Sequence, residues 1–153
     1  GVRDIAGDVG VDPALISRYF GSKEDLFLAV LDDCRSGSNI MDGDRSQFGQ
    51  RMAQELVYGA RNDDRLAWLL IMLLSASSPK SAEVLARSAN SFFTPFAEWI
   101  GGDYSNVRAR MAAGLLMGLT VTRDIGGGFD FTPEECEEMH GRLAEVLQGL
   151  IDG

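Results

Sequence analysis

Val2-Arg3-Asp4-Ile5-Ala6-Gly7-Asp8-Val9-Gly10-Val11-Asp12-Pro13-Ala14-Leu15-Ile16-Ser17-Arg18-Tyr19-Phe20-Gly21-Ser22-Lys23-Glu24-Asp25-Leu26 is the stretch on which the reading turns. It divides at its glycines. Val2 to Val9 has helical spacing and stops at Gly10. Pro13 to Tyr19 forms a second short helix, with Asp12 as N-cap and Pro13 at the first helical position, and stops at Gly21. Ile5, Ala6, Val9, Val11, Ile16 and Phe20 are spaced to pack the two helices together. That is the helix-turn-helix pattern, whose second helix is held out to enter a major groove about 12 Å wide. Ser17, Arg18 and Tyr19 then point away from the packed side. Lys23 falls at the start of the next helix, where its ammonium and the free backbone N–H groups can meet a phosphate. Spacing alone also fits an ordinary helical hairpin with a polar surface.

The run I-A-x-x-x-G-V-x-x-x-x-I-x-x-Y-F-x-S-K-E-x-L, from Ile5 to Leu26, closely resembles the DNA-binding domain of TetR-type bacterial transcriptional regulators. The resemblance covers residues 2 to about 31. It implies that Tyr19 and Lys23 contact phosphates and that Ser17 and Arg18, with Ala14 and Leu15, face base edges. Arg3 completes the expected DNA-binding set. It also implies a variable, all-helical regulatory domain whose last two helices pair between subunits. Gly118-Leu119-Thr120-Val121-Thr122-Arg123, a Gly-rich loop and a Pro-capped last helix are similar to one common subgroup. Family members carry a further helix, often with a basic arm, ahead of the segment that begins here at Gly1. Without it, weak DNA binding is expected.

Beyond the first thirty residues helix signals dominate and strand alternation is nearly absent, so the expected class is all-α. Helices are expected over Lys23–Arg35, Arg45–Gly59, Asp64–Ser77, Ser81–Ile100, Ser105–Ile125 and Pro133–Ile151. Thr132-Pro133-Glu134-Glu135 reads as N-cap, Pro at N1 and capping-box Glu, and Ser22 and Asp44 open two further helices in the same way. Ser36 to Gly43 is the linker, dividing a DNA-binding unit, 1–36, from a ligand-binding and dimerisation unit, 37–153. Leu66–Leu74 is apolar on every side and is expected to be buried, and Thr94-Pro95 is expected to kink its helix.

Composition limits the function classes. In 153 residues, 14 Lys/Arg stand against 23 Asp/Glu, a net charge of −9 that repels nucleic acid as a whole. The charge is unevenly placed. Residues 1–23 hold Arg3, Arg18 and Lys23 against Asp4, Asp8 and Asp12, so the excess of acid lies wholly in the rest. Two cysteines, Cys34 and Cys136, make no disulfide framework and suit a reducing, cytoplasmic setting. No run reaches the roughly 18 apolar residues of a membrane span. No nucleophile elbow, Walker loop or HExxH occurs, so no enzyme and no cofactor are expected. Cys136 and His140 are four apart on one helix, but two ligands without a third cluster do not make a metal site.

Two surfaces are expected in the larger unit. A ligand pocket is read from Tyr58, Trp68, Met72, Asn90, Phe92, Phe93, Phe96, Trp99 and Met117, with Ser91 as a further polar anchor; a filled aromatic core reads the same residues equally well. A dimer face is read from Met111, Gly114, Leu115 and Gly118 on one helix and Met139, Leu143, Val146 and Leu147 on the last. The alternative is that both helices pack wholly within one subunit. The acidic excess of the last helix is expected on its solvated side. The reading is a ligand-responsive repressor acting as a homodimer on double-stranded operator DNA and released by a small hydrophobic effector. A helical binding or scaffold module without a DNA role is the other reading.

Overall fold

The computed structural model describes residues 1–35, 39–60 and 79–153. Its helices are α1 (Val2–Val9), α2 (Pro13–Phe20), α3 (Lys23–Arg35), α4 (Phe48–Tyr58, led in by a 3₁₀ turn, Arg45–Gln47), α5 (Pro79–Ile100), α6 (Ser105–Gly126) and α7 (Pro133–Asp152). No strand occurs among the described residues. The expected helix Asp64–Ser77, with Trp68 and Met72, lies outside them.

The helices start where the caps say. Asp12 accepts from Ala14 N at 2.8 Å and Asp44 from Ser46 N at 2.9 Å. Thr132 and Glu135 close a reciprocal box: Thr132 N donates to Glu135 Oε2 at 2.8 Å, and Glu135 N to Thr132 Oγ1 at 3.3 Å. Pro95 lies inside α5, which runs unbroken to Ile100.

α1 packs on α2 and α2 on α3, forming a small head. α4 to α7 form the body. Its core joins Phe48, Met52, Ala53 and Leu56 of α4 to Phe96, Ala97 and Ile100 of α5, Ala109 and Ala112 of α6, and Leu143, Ala144, Leu147 and Ile151 of α7. Head and body meet where α3 packs on α5.

The α4–α7 contact is the most extensive in the body, and a glycine permits it. A Cβ at Gly49 would lie 2.9 Å from Gln148 and closer still to the Ala144 carbonyl oxygen, well inside van der Waals contact. Gln148 then holds both sides, accepting from Gly49 N at 3.0 Å and donating to the Arg45 carbonyl at 3.2 Å. Two arginines close the far end of α7. Arg45 donates to the Ile151 carbonyl at 2.7 Å, and Arg108 donates to Ile151 at 3.0 Å and to Gly101, so the ends of α5 and α7 share one guanidinium.

Gly49→Ala is expected to lower stability by about 3 kcal/mol, because the clash is with backbone and cannot relax by a rotamer change. Gly141→Ala, where nothing lies within 4 Å of the new Cβ, is expected to be neutral or to gain up to about 1 kcal/mol. Urea unfolding of the two variants checks the contrast.

Candidate nucleic-acid interface and regulatory face

The head is built around one contact. Ala6 on α1 and Ile16 on α2 are its buried residues, and Gly10, at φ 75°, turns the chain between the helices so that Val11 N donates to the Ala6 carbonyl at 2.9 Å. Gly21, at φ 82°, ends α2. The wider packing expected of Ile5, Val9, Val11 and Phe20 is not found. Ile5 and Val11 are 39% exposed, Phe20 41% and Val9 69%.

Arg3, Ala14, Leu15, Ser17, Arg18, Tyr19 and Lys23 are all exposed, Tyr19 most plainly at 80%. Only Ile16 of α2 is buried, so Ser17, Arg18 and Tyr19 are open to solvent together with Leu15 and Phe20, and Lys23 follows at the first residue of α3. That start is fixed by Ser22 and Asp25: Ser22 N donates to Asp25 Oδ2 at 3.2 Å, Ser22 Oγ to the same oxygen at 2.6 Å, and Asp25 N back to Ser22 Oγ at 3.0 Å. The Ser22 hydroxyl, then its N–H, holds the Asp25 carboxyl below the ordinary carboxylate range, and the Arg87 charge on α5 adds a smaller pull. The free N–H groups of α3 and the Lys23 ammonium can thus receive a phosphate oxygen.

In the body, four residues of the expected pocket, Phe92, Phe93, Phe96 and Trp99, gather into one aromatic cluster, while Trp68 and Met72 lie outside the described residues. Phe96 is fully buried. Its ring centroid lies 5.4 Å from Phe92, 6.0 Å from Phe48 and 6.0 Å from Trp99; Phe92 and Phe93 are 5.2 Å apart. Ring pairs at such distances leave no gap between them. Phe48 of α4, not among the expected pocket residues, joins the cluster through Phe96 and Trp99. Tyr58 stands apart, half exposed at the other end of α4 and 5.6 Å from the His140 ring. Asn90 is exposed, the Ser91 hydroxyl donates to the Ser88 carbonyl, and Met117 is half-buried.

The open space among the described residues lies between α6 and α7. A groove of about 620 Å³ is floored by Leu115, Leu119, Met139, Leu143 and Val146, closed at one end by Phe131, and rimmed by Glu134, Glu135, Glu138 and Arg142. Met111 and Val146 are 55% and 52% exposed, and a methyl group added at Gly114 or Gly118 would meet nothing within 4 Å. Leu143 and Leu147, expected on this face, are 5% and 0% exposed: their stripe, continued by Ile151, is used against α4 inside the subunit. The acidic residues Glu134, Glu135 and Glu138 of α7 are exposed and border the groove.

Sequence reasoning also missed Arg123 and Asp124, whose signal was a charged pair in an otherwise apolar stretch. They are 6% and 3% exposed and joined at 2.6 Å. Arg123 donates to the Leu56 carbonyl at 2.7 Å and to that of Glu55 at 3.3 Å, closing the C-terminal end of α4. Arg123→Leu is expected to cost about 3–5 kcal/mol, since it leaves Asp124 buried without its cation, and Arg123→Leu/Asp124→Leu is expected to recover at least half of the loss. Thermal unfolding of the single and double variants provides the check.

Comparison with known proteins agrees with this geometry at both ends of the chain. Residues 1–30 match the family model for bacterial regulatory proteins of the tetR family. Residues 46–151 match that of the tetracyclin repressor-like C-terminal domain. No curated protein matches the chain. The two matched segments are the head with its exposed second helix and the α4–α7 body, and the chain belongs to the TetR family of bacterial DNA-binding transcriptional regulators.

Proposed function

We propose that the chain is a ligand-responsive repressor that acts as a homodimer on a near-palindromic operator. The observation that carries the DNA half is the exposure of Ser17, Arg18 and Tyr19 on α2, with Lys23 at the capped start of α3. A two-fold dimer sets two such helices in successive major grooves, about 34–36 Å apart. Ser17 and Arg18, with Ala14 and Leu15, read base edges; Tyr19, Lys23 and Arg3 hold the backbone.

The dimer half rests on the α6–α7 face. Met111, Gly114, Leu115, Gly118, Met139 and Val146 lie on or beside an apolar groove, and the two glycines let a second backbone approach closely. Pairing of α6 and α7 with their mates makes a four-helix bundle. The effector half rests on the join between units: α3 packs on α5, so a small hydrophobic molecule that moves α5 changes the spacing of the two heads. A thermal-shift screen of such molecules tests it, because a ligand that binds the folded state raises its stability.

In the full-length protein, Lys23→Ala is expected to weaken binding by a similar factor across operator variants, whereas Arg18→Ala changes the order of preference among them. Fluorescence anisotropy on an operator series distinguishes the two, and a uniform loss for both variants would count against the assignment of Arg18. Gly118→Leu is expected to turn a dimer into a monomer in sedimentation runs while leaving the helical signal unchanged. A dimer that survives Gly118→Leu would move the interface elsewhere.

A further inference from the structure

The α6–α7 face joins two properties that oppose each other. Its floor is apolar, and its rim carries Glu134, Glu135 and Glu138. Along α7 as a whole, Glu134, Glu135, Glu137, Glu138, Glu145 and Asp152 stand against Arg142 alone among lysines and arginines. The arginines of the two helices all make contacts within their own subunit, with Arg110 and Arg142 remaining exposed. Arg142 pairs with Glu138 one turn away. Arg108 holds the carbonyls of Gly101, Leu150 and Ile151. Arg110 lies over the Phe93 ring at 4.6 Å, and Arg123 is buried against Asp124 and the end of α4. A second copy brought to this face therefore meets a rim whose net charge, three glutamates against Arg142, is of its own sign.

Resting on the dimer reading above, we infer that pairing through this face is driven by apolar burial against like-charge repulsion, so that the dimer tightens as ionic strength rises. The Debye length is about 30 Å at 0.01 M salt and about 10 Å at 0.1 M, so dilute buffer leaves the repulsion between rims nearly whole and half-molar salt removes most of it. Phosphate contacts respond in the opposite sense, since added salt weakens binding to DNA. At protein concentrations near the dimer dissociation constant, operator occupancy then passes through a maximum as salt is added, instead of falling throughout.

The test is the dimer dissociation constant of the full chain, by sedimentation equilibrium, at 20, 150 and 500 mM sodium chloride. A fall of roughly tenfold or more across that range is expected. Glu134→Gln separates rim charge from a general salting effect on apolar burial: it is expected to tighten the dimer at 20 mM and to flatten the salt response. A dimer that loosens with salt, or whose constant does not change, overturns the inference and leaves the dimer reading standing. Equal slopes for the chain and for Glu134→Gln overturn it too, since the rim is then not the source. A monomer at every salt up to 100 μM protein removes the dimer reading itself.

Discussion

Backbone on backbone at Gly49 is the contact the rest of the body depends on. With the Ala144 carbonyl oxygen where a side chain would start, α4 and α7 lie closer than two ordinary helices can. That approach sets Leu143, Leu147 and Ile151 into one core with Phe48, Met52 and Leu56, and it brings Gln148 within reach of the α4 entrance. The aromatic rings of α5 then fill the space beside Phe48. What α7 has left is the side that borders the groove. The interior contact thus takes Leu147 entirely and most of Leu143, which also borders the groove.

A second regularity is the use of guanidinium groups on helix ends. Arg45 and Arg108 meet the last carbonyls of α7, Arg108 also meets the end of α5, and Arg123 meets the end of α4. Carbonyls at a helix C-terminus have no partner within the helix and carry the negative end of its dipole. A buried arginine answers both needs with one fork, which is why Arg123 can lie inside the body. Of these three arginines only Arg123 is buried, and Arg45 keeps its side chain in reach of solvent.

The sequence was most legible where a local rule decides the outcome. Asp12, Ser22, Asp44 and Thr132 cap helices because a cap needs only its own neighbours. The family motif carried the head for the same reason, being a run of contacts within thirty residues. Burial was harder to read. Helical periodicity shows that Leu143, Val146 and Leu147 share an apolar side, yet which of them meets α4 and which faces outward depends on the Gly49 approach, nearly a hundred residues away in sequence. Phe92, Phe96 and Trp99 have the composition of a pocket wall and of a core alike; Phe96 and Trp99 meet Phe48, while Trp68 and Met72 of the same reading lie outside the described residues. Arg123 and Asp124 were overlooked because a charged pair near the end of a helix ordinarily belongs to solvent.

The uneven charge has a consequence for how the protein meets its target. Residues 1–23 are balanced, while the remainder holds all of the net −9. In the field of a polyanion such a molecule has a preferred attitude: the acidic remainder, α3 included, is pushed outward and the balanced segment 1–23 that carries α1 and α2 is left nearest the duplex. Orientation is then selected before any contact forms. Collisions that lead with the body are turned away, and the fraction that arrive with α2 foremost rises accordingly. The acidity that first argues against a DNA-binding protein acts, in this arrangement, as a rudder.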